Sequence, residues 1–167
     1  MSDLMGSLVY ARACRGRGER LFGMLCLEMI GYYKTGPGSQ PYPEQLPATL
    51  RAALPKEGTF LALIGDTGSA RFTYRLRRKI GLRSRPDRRL PKVPVYAFAL
   101  PPAFTGGAHM LSDHWSFRQA GYPAVMATDT AFVRNPNYHA ASDTPDTLDY
   151  DRTAQAVIRL ARGLRRV

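Results

Sequence analysis

The residues best suited to chemistry lie in a turn around His139, near the end of the chain. Tyr138 precedes this histidine, the turn-forming segment 135–137 leads into it, and Ser142 with a run of acidic residues follows it (Asp143, Asp146 and Asp149). Histidines in loops are often only solvated. Here carboxylates stand close enough in sequence to hold the second ring nitrogen, which a metal-bound imidazole normally requires. The pattern therefore favours a metal-binding histidine.

A second candidate is Glu28, which interrupts the apolar run 24–30. An ionised carboxylate in an apolar strand is costly unless it is paired, protonated or bound to a metal. Two interpretations remain equally open from this residue alone. Glu28 either has a functional role or stands at the end of the strand, where the sheet opens to solvent. Ligands of open α/β sheets gather at the carboxyl ends of strands, so both place Glu28 near a candidate site.

The third polar group is Ser112-Asp113-His114-Trp115, which follows an apolar run and a glycine-containing loop. Its simplest interpretation is the beginning of a helix, with Ser112 or Asp113 as the N-cap. On sequence alone that structural interpretation is favoured over a catalytic one. His109 has no supporting pattern and receives no role.

The elements that must position these residues alternate between strands and helices. Apolar runs predict strands at 24–30, 59–64, 95–100 and 124–128. A four-residue apolar spacing behind Ser69 predicts a helix with basic residues on its outer face. A final helix is predicted from about Asp151, with one apolar face (Ala154, Val157, Ile158, Ala161 and Leu164). The segment 35–55 is predicted to be the main loop. This order predicts a three-layer α/β/α sandwich with a mixed, largely parallel sheet.

Composition sets broad limits on the protein. The 167 residues, 44% of them hydrophobic, predict one domain over residues 1–167. The formal net charge is +11, and ten of the 24 basic residues fall between Arg71 and Lys92. No nucleic-acid-binding motif accompanies this cluster, so a specific nucleic-acid partner is not expected. Cys14 and Cys26 are expected to be free. The sequence shows neither a signal peptide nor an apolar stretch of membrane-spanning length, so we expect a cytoplasmic protein without a membrane partner.

Taken together, three motifs resemble the dinuclear-zinc aminopeptidase family, which also contains glutaminyl cyclases and glutamate carboxypeptidases. They are Leu27-Glu28-Met29-Ile30-Gly31, the segment 112–124 beginning Ser112-Asp113-His114-Trp115, and Tyr138-His139 with the acidic segment 143–149. Their order and spacing make the resemblance specific, and it extends from about Gly6 to the final helix. It implies that the chain is the C-terminal part of a zinc-peptidase catalytic domain.

The resemblance also implies roles for individual residues. Glu28, where many relatives have aspartate, would bind one zinc ion, and His139 would bind the second. The Tyr138 hydroxyl would stabilise the oxyanion of a tetrahedral intermediate, and Asp113 would contact the substrate or support a metal ligand. The expected reaction is hydrolysis of the first bond of a peptide with a free amino terminus, with two zinc ions as cofactor.

The same comparison predicts an incomplete site. A zinc ion of this type needs at least three protein ligands, and the sequence offers one recognisable ligand for each metal. The family's paired glutamates would lie shortly before Met5, and residues 1–4 do not supply them. We therefore expect this chain alone to be inactive and to self-associate through an exposed sheet edge. The alternatives are a non-catalytic interaction domain and, in the complete protein, a glutaminyl cyclase.

Overall fold

A four-stranded mixed sheet forms the centre of the computed structural model, which describes residues 5–44, 46–101, 104 and 110–165, without the side chains of residues 82 and 83. Its strands are β1 (Met24–Leu27), β2 (Leu61–Asp66), β3 (Val95–Leu100) and β4 (Ala124–Thr128). Their spatial order is β1-β4-β2-β3. β1 is parallel to β4 and β2 is parallel to β3, whereas β4 is antiparallel to β2. The predicted strands and the mixed sheet are confirmed.

In the described part of the chain, six α-helices accompany the sheet: α1 (Gly6–Gly16), α2 (Ala48–Ala53), α3 (Ala70–Leu76), α4 (Asp113–Gln119), α5 (Ala131–Arg134) and α6 (Tyr150–Leu164). A π-helical segment, Arg77–Arg83, continues α3, and short 3₁₀ turns occupy Thr67–Ser69 and Pro145–Thr147. The predicted loop 35–55 thus contains the short helix α2. No helix among the described residues is both long and apolar enough to cross a membrane.

The helices cover both faces of the sheet and so complete the predicted α/β/α layers. On one face, α3, the π-helical segment and α6 enclose a core that includes Leu63, Leu76, Ile80 and Leu160. On the other face, α1 and α4 enclose a smaller core around Ala11, Cys14, Phe117, Tyr122 and Ala124. Both cysteines are buried and free, as expected.

The predicted apolar face of α6 is wrong. Ala154, Val157, Ala161 and Leu164 are exposed, and the buried residues include Gln155, Arg159 and Gly163. These polar side chains are buried because they satisfy backbone carbonyls. Arg159 donates to the carbonyls of Ile80, Gly81 and Val93, and Gln155 donates to those of Asp87 and Pro91. A helix that caps carbonyls in this way does not show its buried face as an apolar stripe.

β1 is an edge strand in the described part of the fold. The Met24 amide donates to the carbonyl of Pro123, directly before β4, and the Glu28 amide donates to that of Ala127 within β4, at 2.9 Å each. Because successive backbone groups of a strand point in opposite directions, the amides and carbonyls of Leu25 and Leu27 point away from β4. The Leu27 side chain is also exposed. This edge therefore combines unpaired backbone groups with apolar surface.

Candidate functional site

Glu28 is the first residue after β1, at the edge of the sheet where β1 and β4 both end. Its side chain is half-buried, and its amide donates to the Ala127 carbonyl at 2.9 Å. Of the two interpretations of Glu28, the position at the end of the strand therefore describes its local structure. Met29 then turns the chain with a left-handed φ of 54°. Glu28 is consequently placed at the carboxyl end of β1, with a half-buried side chain.

Asp113 lies on the same side of the sheet as Glu28. It is exposed in the first turn of α4, directly after Ser112, which occupies the N-cap position as predicted. The Ser112 hydroxyl lies 3.1 Å from the Cys26 sulfur. Burial raises the pKa of the Cys26 thiol, and the negative charges of Glu28 and Asp113 raise it further. The charges of both predicted site carboxylates thus act on Cys26, but among the described residues these three side chains do not form a group that could hold a metal ion.

Tyr138 and His139 form a second pair. Their rings stack with centroids 4.0 Å apart and an angle of 22° between the planes, and both side chains are exposed. His139 has a left-handed φ of 60°, an uncommon conformation for a residue other than glycine. The exposed imidazole is accessible to a ligand.

The turn that carries this pair is held by its own polar side chains. Asn135 donates to the Asp143 carboxylate at 2.9 Å and accepts from the Asn137 amide, also at 2.9 Å. The Ser142 hydroxyl donates to the Asn137 side chain at 2.8 Å. Asp143 thus fixes the turn through Asn135.

The two pairs do not form a complete metal site. No group of three or more histidine, cysteine, aspartate or glutamate side chains in the described ranges could hold a metal ion. A zinc site needs three or four such donors around one point. Glu28 and His139 have suitable donor atoms, but the described residues do not fit a complete zinc centre. His109 lies outside the described residues.

The sequence interpretation missed two buried charged residues beside the site. Asp129, directly after β4, is 1% exposed, and Arg134, at the end of α5, is 4% exposed. Burial raises the pKa of Asp129 to about 6, against the opposing effect of hydrogen bonds from the amides of Tyr32 and Ala131. Burial also lowers the pKa of Arg134 to about 10. The sequence did contain a signal for Asp129, because this carboxylate comes directly after the apolar run 124–128.

Comparison with known proteins identifies the relatives of this fold. The family model described as Peptidase family M28 matches residues 63–163. The chain belongs to peptidase family M28. The matched region of this M28 chain contains Asp113, Tyr138 and His139, whereas Glu28 lies outside it.

Individual relatives agree with this assignment. The M28 chain is 40% identical to YfbL of Escherichia coli strain K12 over 156 residues, which is 93% of the chain but 44% of YfbL. It is 42% identical over 60 residues to a probable leucine aminopeptidase of Arthroderma otae, covering 35% of the chain and 16% of that protein. The chain therefore spans less than half the length of these relatives.

Solved structures show the same fold. The LapA aminopeptidase of Legionella pneumophila superposes with a TM-score of 0.57 at 17% identity, covering 96% of this chain and 34% of LapA. LapB of the same organism gives a TM-score of 0.53 at 16% identity, covering 95% of this chain and 34% of LapB. The α/β architecture of the M28 chain is therefore that of part of an aminopeptidase fold.

Proposed function

We propose that this chain is part of a zinc-dependent aminopeptidase that cleaves the first bond of peptides with a free amino terminus. Membership of peptidase family M28 is the observation that carries the proposal. Similarity to proteins named as leucine aminopeptidases supports the substrate class. In this proposal Glu28 and His139 each give one ligand to a two-zinc centre, which would polarise the substrate carbonyl and activate water when bound.

The described residues support distinct roles for the remaining side chains. The Tyr138 hydroxyl is a hydrogen-bond donor on a ring held by stacking against His139, so it is suited to an oxyanion. Asp113 is an exposed carboxylate on the Glu28 side of the sheet, so it is suited to a protonated peptide amino terminus. These positions allow Tyr138 and Asp113 to bind and orient substrate.

The same geometry leads us to propose that the 167-residue chain does not hydrolyse peptides alone. Glu28 and His139 are too few ligands for two metal ions, and no described cluster of three donors completes either site. A non-catalytic role of the isolated chain follows if no other polypeptide completes the centre.

Zinc stoichiometry and turnover of the purified chain test the proposal. The chain is dialysed against zinc, its metal content is measured by mass spectrometry, and aminoacyl p-nitroanilides are offered as substrates. We expect fewer than two tightly bound zinc ions per chain and no turnover. Two tightly held ions, or turnover that Glu28→Ala or His139→Ala abolishes, would show that the chain has a complete site.

A further inference from the structure

Asp129 connects the two loops that leave the sheet at the candidate site. One oxygen of its carboxylate accepts the Tyr32 amide at 2.6 Å, and the other accepts the Ala131 amide at 2.7 Å. Its own amide donates to the Met29 carbonyl at 2.7 Å. One buried residue thus bonds to the segment after β1 and to the first residue of α5.

Both loops contain backbone that needs such support. Met29, next to Glu28, has a φ of 54°, and Thr130, next to Asp129, has a φ of 64°. A residue other than glycine in the left-handed region costs about 1–3 kcal/mol and persists only where its surroundings impose it. Asp129 bonds to the carbonyl of Met29 itself and to the amide of Tyr32 three residues later, and its bond to the Ala131 amide spans Thr130. These bonds therefore act where the backbone would otherwise relax.

A second brace joins the same two segments and shows that the connection is built into the fold. The Arg134 guanidinium donates to the Tyr32 carbonyl at 3.1 Å and to the Gln40 side chain at 2.8 Å. Gln40 in turn donates to the Thr130 hydroxyl at 3.1 Å. Because Arg134 ends α5 directly before Asn135, this brace leads into the turn that carries His139.

We propose that Asp129 is a positioning residue that sets the placement of Glu28 relative to the Tyr138–His139 turn. A carboxylate fits this task because each of its oxygens accepts one amide, whereas asparagine has only one acceptor and turns an NH₂ group toward the other amide. Asp129 makes its contacts through the backbone of both loops. The functional meaning of this placement rests on the proposed metal site, but the brace itself does not.

Amide exchange in the full 167-residue chain tests the brace directly. In the wild type, the Tyr32 and Ala131 amides should exchange slowly although both lie in loops or at a helix start. In Asp129→Asn, we expect both to exchange at least tenfold faster and the Tyr138 and His139 resonances to shift. If the wild-type amides exchange as fast as those of exposed loops, the proposal is wrong, whether or not the variant folds.

A stability-matched control separates positioning from general loosening. Gly163→Ala perturbs α6 against Ile80, away from both loops. We expect it to lower stability while leaving the Tyr138 and His139 resonances unchanged. If Gly163→Ala shifts these resonances as much as Asp129→Asn does, then Asp129 has no specific positioning role.

Zinc titration then connects the brace to the proposed function. We expect at least tenfold weaker zinc binding in Asp129→Asn and unchanged affinity in Gly163→Ala. Unchanged zinc affinity in Asp129→Asn would contradict the positioning role. If the wild-type chain binds no zinc, which its incomplete set of ligands allows, the amide exchange alone decides whether Asp129 braces the two loops.

Discussion

The pH dependence of stability gives a quantitative test of the buried Asp129 carboxylate. Burial raises its pKa in the folded protein to about 6, from an ordinary value of 3.8. The folded state therefore binds this proton more tightly than the unfolded state. Stability from this group is fully present below pH 3.8 and is lost as the pH rises through 6. With these two pKa values, the loss between pH 5 and pH 8 is on the order of 1 kcal/mol.

Asp129→Asn removes this titration. Urea unfolding of wild type and variant at several pH values gives the difference in their free energies of unfolding. We expect the wild type to lose on the order of 1 kcal/mol relative to the variant from pH 5 to pH 8, on top of a constant offset. Asp151→Asn, an exposed residue of α6, tests the effect of losing one negative charge. A difference that stays constant with pH, or rises with pH, would refute the reasoning.

Three further substitutions test other parts of the structure. Arg134→Met leaves the carbonyls of Tyr32 and Phe60 without the guanidinium donor, so the free energy of unfolding measured in urea should fall by about 3 kcal/mol. An unchanged free energy of unfolding would contradict the bracing role of Arg134. Gly163→Ala places a methyl group 2.8 Å from the Ile80 Cα, so the melting temperature should fall although alanine is the better helix former. The control Gly16→Ala meets no atom within 4 Å and should not lower the melting temperature. Leu27→Lys puts a charge on the open β1 edge; sedimentation should show concentration-dependent association of the wild type and less of the variant.

The strands were predictable because their signal is local. Each apolar run overlaps a strand, since a sheet covered on both faces needs apolar side chains on both. For Glu28 the end of the strand was one of two interpretations left open by the sequence, because a charge can mark the point where burial ends. The turn at His139 was selected by its own polar residues and neighbouring carboxylates, and the family resemblance then implied roles for Tyr138 and His139.

The buried polar residues were not predictable from periodicity. Arg159 and Gln155 are buried because carbonyls from a distant segment, around residues 80–93, need donors. Asp129 is buried because two amides from different loops converge on it. Arg159 and Gln155 are each more than 60 residues away in sequence from these partners. Asp129 is 97 residues away from Tyr32, one of its two partners. Such partners become visible only when the fold brings them together.

The shared fold of M28 relatives allows the central claim to be tested in a complete protein. In a chimera, this chain replaces the region of YfbL to which it is 40% identical. Zinc content and hydrolysis of aminoacyl p-nitroanilides are measured for the chimera and for its Glu28→Ala and His139→Ala variants, with Asp151→Asn as the control. Our account predicts a zinc-bound, active chimera that loses metal and turnover in both alanine variants but not in the control. Full zinc content and turnover in both alanine variants would contradict it.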